Sequence, residues 1–165
     1  MQTIIRPAEI NDLPEILEIV NHNILHSTAI YDYDTRSLAD MEVWFSDRQK
    51  DNWPVVVAEL DSKIVGYATY GTFRFKVGFR FTVEHSVYVA ENFNGKGIGK
   101  LLLTELINLA KEQGFHTMIG CIDAENKGSI EFHRKFGFTE EGVLKQTGYK
   151  FDRWLDLLFM QLMLK

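Results

Sequence analysis

Apolar residues along the chain fall into two rhythms. Leu13, Ile16, Leu17 and Val20 recur at steps of three and four, which predicts an amphipathic helix. Asp12-Leu13-Pro14-Glu15 predicts its start, with Asp12 as N-cap, Pro14 in the first turn and Glu15 at the third helical position. Ser37-Leu38-Ala39-Asp40 opens a second helix in the same way, with Met41, Trp44 and Phe45 on its inner face. Ile98, Leu102, Leu106 and Leu109 mark a long helix from Gly97 to Gln113, stopped by Gly114. A short helix runs from Asn126 to Lys135 and ends at Gly137. The remaining apolar runs predict strands: Thr3-Ile4-Ile5, Val55 to Glu59, Lys63 to Tyr70, Phe81 to Val89, Met118 to Ile122, Val143 to Tyr149 and Trp154 to Met163. The second and third of these are joined by a hairpin-like turn at Leu60-Asp61-Ser62. A strand, two helices, a β-meander, a helix, a strand, a helix and two strands make an α/β protein with a mixed sheet covered by helices.

Composition narrows the picture. The 165 residues fit a single domain, 1–165, with one core. A content of 45% hydrophobic and 25% charged residues is that of an ordinary globular protein. The net charge of −5 argues against nucleic acid and anionic membrane as partners. Met1 to Pro7 lacks the apolar core of a signal peptide, and no apolar run reaches the roughly 18 residues that span a bilayer. The single cysteine, Cys121, excludes an internal disulfide and reads as a small core residue. A cytoplasmic protein is expected. No Cys/His cluster has metal-ligand spacing, so no metal is expected.

Two segments carry candidate chemistry. Val87-Tyr88-Val89 leads into Asn94-Gly95-Lys96-Gly97-Ile98-Gly99-Lys100, a strand that breaks into a glycine-rich turn and then a helix. Such a turn exposes backbone N–H groups at a helix N-terminus, where phosphate binds. The spacing is neither that of a P-loop nor that of the dinucleotide fingerprint, and alone it is equally a plain junction. The second segment, Asn126-Lys127-Gly128-Ser129-Ile130-Glu131-Phe132-His133, sets a capping asparagine and a histidine on another helix start. Together they suggest a pocket for a phosphate-bearing cofactor.

Asn94 to Gly99 resembles the Gln/Arg-x-x-Gly-x-Gly/Ala turn of the GNAT acetyltransferase superfamily, with asparagine at the first position. In that family a bulged strand precedes the turn. Asn126, Ser129, Phe132, His133, Gly137 and Phe138 match the family's later Asn-x-x-Ala/Ser-x-x-Leu/Phe-Tyr-x-x-x-Gly-Phe pattern, with His133 replacing its tyrosine. Thr82 to Val89, Gly148 to Asp156 and His133 look like the phosphinothricin N-acetyltransferase branch. The resemblance implies a GNAT fold: one domain, with a central, mostly antiparallel twisted sheet flanked by helices. It implies acetyl-CoA as donor, with its pantetheine arm along Val87, Tyr88 and Val89, Asn126 and Ser129 beside that arm, and its pyrophosphate at Asn94 through Lys100. It further implies a small amino acid or analogue as acceptor, of the phosphinothricin, methionine sulfoximine or methionine sulfone type, and a homodimer.

A thioester is attacked only by a neutral amine, so a base must take a proton. Glu84, with a counterpart in that role in the family, is the leading candidate. A backbone N–H near Val87 to Val89 suits a developing oxyanion. His133, or alternatively Tyr88, is a candidate proton donor to the departing thiolate. Strand alternation puts His85 opposite Glu84, so only one of them is expected to face the site. Arg74, then Arg80, are candidates to grip an acceptor carboxylate, with Phe73 beside them and Tyr31 as a pocket wall. Arg153 and Trp154 are expected to pack a late strand or pair across a dimer. Two other readings stand beside this one: acetylation of a protein or peptide N-terminus, and a non-catalytic acetyl-CoA-binding module.

Overall fold

A computed structural model describes residues 2–165; Met1, the first residue of the expected domain span, lies outside the described residues. Seven strands form one open sheet: β1 Ile4–Pro7, β2 Val55–Leu60, β3 Lys63–Thr72, β4 Thr82–Val89, β5 Thr117–Asp123, β6 Thr139–Lys150 and β7 Arg153–Met163. Their order is β1-β2-β3-β4-β5-β7-β6. Only the central β4–β5 pair is parallel; the other five pairs are antiparallel. Four α-helices cover the sheet: α1 Leu13–His26, α2 Leu38–Lys50, α3 Ile98–Glu112 and α4 Lys127–Lys135.

Each face of the sheet carries its own core. On one, Val83, Met118, Ile122, Leu158 and Met160 pack under Leu102, Leu103 and Leu106 of α3 and Ile130 of α4. On the other, Val57, Ile64 and Tyr67 pack under Leu13, Ile16 and Val20 of α1 and Met41 and Phe45 of α2. The two-residue period of the strands therefore sorts these core side chains toward one helix pair or the other. Among the described residues no helix is long and apolar enough to cross a membrane.

The structure moves several expected features. Asp12 does not cap α1. Its carboxylate accepts two hydrogen bonds from the Arg6 guanidinium, at 2.8 and 2.9 Å, and one from the Glu9 backbone N–H at 2.7 Å. The bidentate pair holds Asp12 below the usual carboxylate range. Ser37 does cap α2, accepting from the Asp40 N–H while the Asp40 carboxylate accepts from the Ser37 N–H. β6 starts at Thr139, four residues before the expected Val143, because pairing with β7 carries a largely exposed stretch into the sheet. The β3–β4 ladder runs without a shift from Thr72↔Val83 to Gly66↔Val89, so β4 has no bulge against β3.

Candidate active site

The site arises from a parting of strands. β4 and β5 pair only through Thr82, Val83 and Glu84 with Thr117, Met118 and Ile119. Beyond Glu84 the two diverge, and β4 keeps a partner on its β3 side alone. The Ala90 N–H bonds the Val65 carbonyl at 2.8 Å. By the alternation of an antiparallel ladder, the Tyr88 and Ser86 backbone groups also face β3. Those of Val87 and Val89 then point the other way, into the gap that β5 has left.

A cavity of about 510 Å³ fills this gap and reaches both faces of the sheet. On the α1–α2 face it is lined by Tyr31, Phe73, Arg74, Glu84, Cys121 and Phe159; on the α3–α4 face by His85, Val87, Asn126, Ser129, Phe132 and His133. Glu84 and His85 both line it, contrary to the expectation that one would turn away. Alternation holds, but a cavity that passes through the split collects side chains from both faces.

Glu84 is half-buried, and burial raises its carboxyl above the usual range, although the Cys121 thiol and Arg74 draw it down. Cys121 is not a core residue: it is partly exposed and lines the cavity next to Glu84. Burial and the Glu84 charge push its thiol up to about 12, so it is present as the neutral thiol. Phe73 is fixed edge-on to Phe79 and Phe159, and the Arg74 guanidinium lies 5.3 Å from the Phe73 ring centre. Arg80 does not reach the cavity; its guanidinium lies over Phe81, 4.7 Å from the ring centre. Tyr31 brings its ring to the cavity, and its hydroxyl is buried without a protein partner among the described residues. Tyr88 lines the cavity too, but burial raises its hydroxyl, and its ring leans on Tyr67 with centres 5.3 Å apart.

His133 is buried on α4. Its Nδ1 lies 2.6 Å from the Ser129 carbonyl and its Nε2 lies 3.0 Å from Nε2 of His85. A carbonyl only accepts, so Nδ1 of His133 carries the proton; Nε2 of His133 then accepts from the Nε2–H of His85. The rings stack with centres 5.0 Å apart. Burial lowers both histidines, His85 to about 3, so the pair is neutral. In this state neither polar atom of His133 has a proton free for the cavity. No local pattern marks this pairing, since residues 85 and 133, 48 positions apart, meet only through the β4–α4 packing.

At the other end of β4, Gly97 stands at the N-cap of α3 with φ 81°, and Gly95 has φ 76°. Both are left-handed conformations that glycine adopts without steric cost. The first helical bond inside α3 runs from Leu101 N–H to Gly97 carbonyl, leaving the Ile98, Gly99 and Lys100 N–H groups without an intrahelical partner. A side chain at 95 or 97 would meet open space. This turn does not line the cavity; it adjoins it through Phe132, whose ring a Cβ placed on Gly99 would touch. Lys96 sits over Phe93, 4.8 Å from the ring centre. Asn126 caps α4 by accepting from the Ser129 N–H at 3.1 Å, which leaves its amide NH2 without a role in the cap. Orphan amides at a positive helix end, an unpaired strand edge and a half-buried carboxylate across the gap fit a long donor molecule with an anionic head and a reactive tip.

The model of the acetyltransferase (GNAT) domain family matches residues 5–159, and the chain belongs to that family. Its members use acetyl-CoA as acetyl donor, so this protein is an acetyl-CoA-dependent acetyltransferase. Among similar proteins is an L-methionine sulfoximine/L-methionine sulfone acetyltransferase of Pseudomonas aeruginosa, 46% identical over 98% of this chain and 95% of the relative. A phosphinothricin acetyltransferase of Sinorhizobium meliloti, solved in complex with acetyl-CoA, superimposes with a TM-score of 0.95 at 39% identity, covering 99% of this chain and 89% of the other. A structure from Brucella melitensis named as a ribosomal-protein-alanine N-acetyltransferase has a TM-score of 0.96 at 48% identity, covering 97% and 99%.

Proposed function

We propose that this enzyme acetylates the α-amine of a small L-amino acid analogue of the methionine sulfone, methionine sulfoximine or phosphinothricin type. The observation that carries the reading is Glu84, a half-buried carboxylate beside Arg74 at the point where β4 and β5 part. Arg74 pairs with the acceptor carboxylate, and Phe73 and Tyr31 enclose its side chain. Glu84 takes the ammonium proton, directly or through a water; its raised pKa moves it toward the amine's and improves that exchange. Arg80, which lies outside the cavity, has no part. Bound acetyl-CoA supplies an electrophilic thioester carbonyl. Residues 94–100 hold its pyrophosphate with backbone N–H groups and Lys96 and Lys100, and Val87, Val89, Asn126 and Ser129 hold its arm. The amides of Val87 and Val89 face the gap as donors to a developing oxyanion. His133 serves through its neutral pairing with His85, which fixes α4, rather than as a donor of its own proton.

Acetylation of a peptide N-terminus is favoured by the name of the Brucella structure. An arginine at the cavity wall argues for a free carboxylate next to the amine, which the first residue of a peptide lacks. We further place the enzyme in the cytoplasm as a homodimer. The free Cys121 agrees with a reducing compartment. The exposed apolar side chains Phe75, Val143, Leu144, Phe151 and Trp154 agree with a covered surface. Thiol release from acetyl-CoA tests the function, using methionine sulfone, methionine sulfoximine, phosphinothricin, natural amino acids, a polyamine and an N-terminal peptide. Turnover confined to the amino-acid analogues is expected; turnover of the peptide alone overturns it.

A further inference from the structure

One cation of this protein is buried where no acid holds it. Lys150, at the end of β6, is 3% exposed. Its ammonium donates to the Ser27 carbonyl at 2.7 Å and to the Ile30 carbonyl. Ser27 is the C-cap of α1, whose N–H bonds the Asn23 carbonyl. Lys150 thus meets the negative end of α1 and the first loop residues after it. Burying an ammonium is costly, and a methylene chain alone would fill the same space without that cost. The return is loop geometry: two backbone carbonyls 123 and 120 residues away in sequence are tied to one side chain.

The same stretch of β6 shapes the next part of the loop. A Cβ placed on Gly148 would lie 2.7 Å from Cε2 of Tyr31, so the Tyr31 ring rests directly on the bare Gly148 backbone. Between these two residues the Tyr149 carbonyl accepts a hydrogen bond from the Tyr33 hydroxyl. Further along, the Thr28 hydroxyl donates to the Asp123 carboxylate at 2.6 Å. Thr28, Ala29 and Tyr31 of this loop all line the cavity, while the Tyr31 hydroxyl is itself buried, without a partner among the described residues.

We propose that the end of β6, through Lys150 and Gly148, is the seat that sets acceptor recognition. It fixes residues 27–33 so that Thr28, Ala29 and the Tyr31 ring wall the cavity where the acceptor's side chain lies. This rests on the reading of the cavity as an amino-acid acceptor site. Lys150 and Gly148 touch no substrate; they are positioning residues.

The test is steady-state kinetics of Lys150→Met and Gly148→Ala with methionine sulfone and acetyl-CoA as varied substrates. The acceptor KM should rise at least about tenfold in each, with kcat and the acetyl-CoA KM changing by less than about twofold. An unchanged acceptor KM, or equal rises in both KM values, overturns the proposal. Should Lys150→Met fail to fold, Gly148→Ala decides alone, since it leaves the ammonium in place and displaces only the ring. Amide hydrogen exchange of the protein without substrates gives a second readout. Residues 28–33 should exchange at least about tenfold faster in Lys150→Met than in the wild type, with α3 and α4 unchanged. Equal exchange overturns the seat. Failure of the wild type to acetylate methionine sulfone would instead refute the acceptor reading, and exchange would then decide the seat by itself.

Discussion

Replacing His85 with glutamine should change how stability depends on pH. His85 and His133 share a buried contact of 3.0 Å between their Nε2 atoms, and the only proton in it comes from His85. Adding a proton to His85 puts an N–H on Nδ1, which is buried without a partner among the described residues. Burial, which disfavours the charged ring, and the neighbouring His133 hold His85 in the folded state at about 3, against 6.5 for an unperturbed imidazole. A folded pKa depressed below the unfolded one means that the unfolded chain binds a proton that the fold refuses. Stability is then full above about pH 6.5 and falls as pH drops toward 3. At about pH 5 the unfolded imidazole lies about 1.5 units below its own pKa, and at 1.36 kcal/mol per unit the penalty is about 2 kcal/mol. Glutamine at 85 keeps a donor for His133 and does not titrate. Urea denaturation of both proteins, from about pH 7.5 to about pH 5, measures the difference in unfolding free energy and cancels the carboxylates common to both. The variant should gain about 2 kcal/mol on the wild type across this range. Parallel stability curves would refute the neutral pair.

Two further outcomes follow from the site. Gly97→Ala forces a Cβ into a left-handed residue with open space around it, so it should lower stability by about 1–2 kcal/mol through backbone strain alone. The same change should weaken acetyl-CoA binding by calorimetry, because the orphan amides of α3 begin there. Cys121, with its thiol near 12, should react with iodoacetamide at pH 8 about a thousandfold more slowly than an ordinary thiol, and Glu84→Gln should speed the reaction by removing the neighbouring charge.

Much of the architecture was legible in the residues. The stripe Ile98, Leu102, Leu106 places α3, and the glycines at 95 and 97 mark the left-handed turn that exposes its first amides. Asp12 shows where local pattern fails: its sequence neighbours suit a helix cap, but Arg6, set beside it by the β1 strand, offers a bidentate charged partner that outcompetes a backbone N–H. Cys121 and His85 both reach the cavity for one reason. The insertion of β5 between β4 and β7, and its departure from β4 after Glu84, creates a cavity that crosses the sheet, and no single-strand pattern encodes that. Arg80 follows a similar logic, since an aromatic neighbour, Phe81, captures its guanidinium away from the cavity. The seat of residues 27–33 rests on contacts spanning more than a hundred residues, beyond the reach of any local signal.

The role proposed for Glu84 is removal of the acceptor's proton. The most direct measurement is kcat/KM for methionine sulfone as a function of pH, in the wild type and in Glu84→Gln, with the acetyl-CoA dissociation constant of each measured alongside. The wild type should lose activity on the acid side as Glu84 is protonated, with the midpoint above the usual carboxylate range. Glu84→Gln should lose about 10²–10⁴-fold in kcat/KM while binding acetyl-CoA as the wild type does. A Glu84→Gln enzyme within a few-fold of the wild type, with the same acid limb, would contradict the assignment.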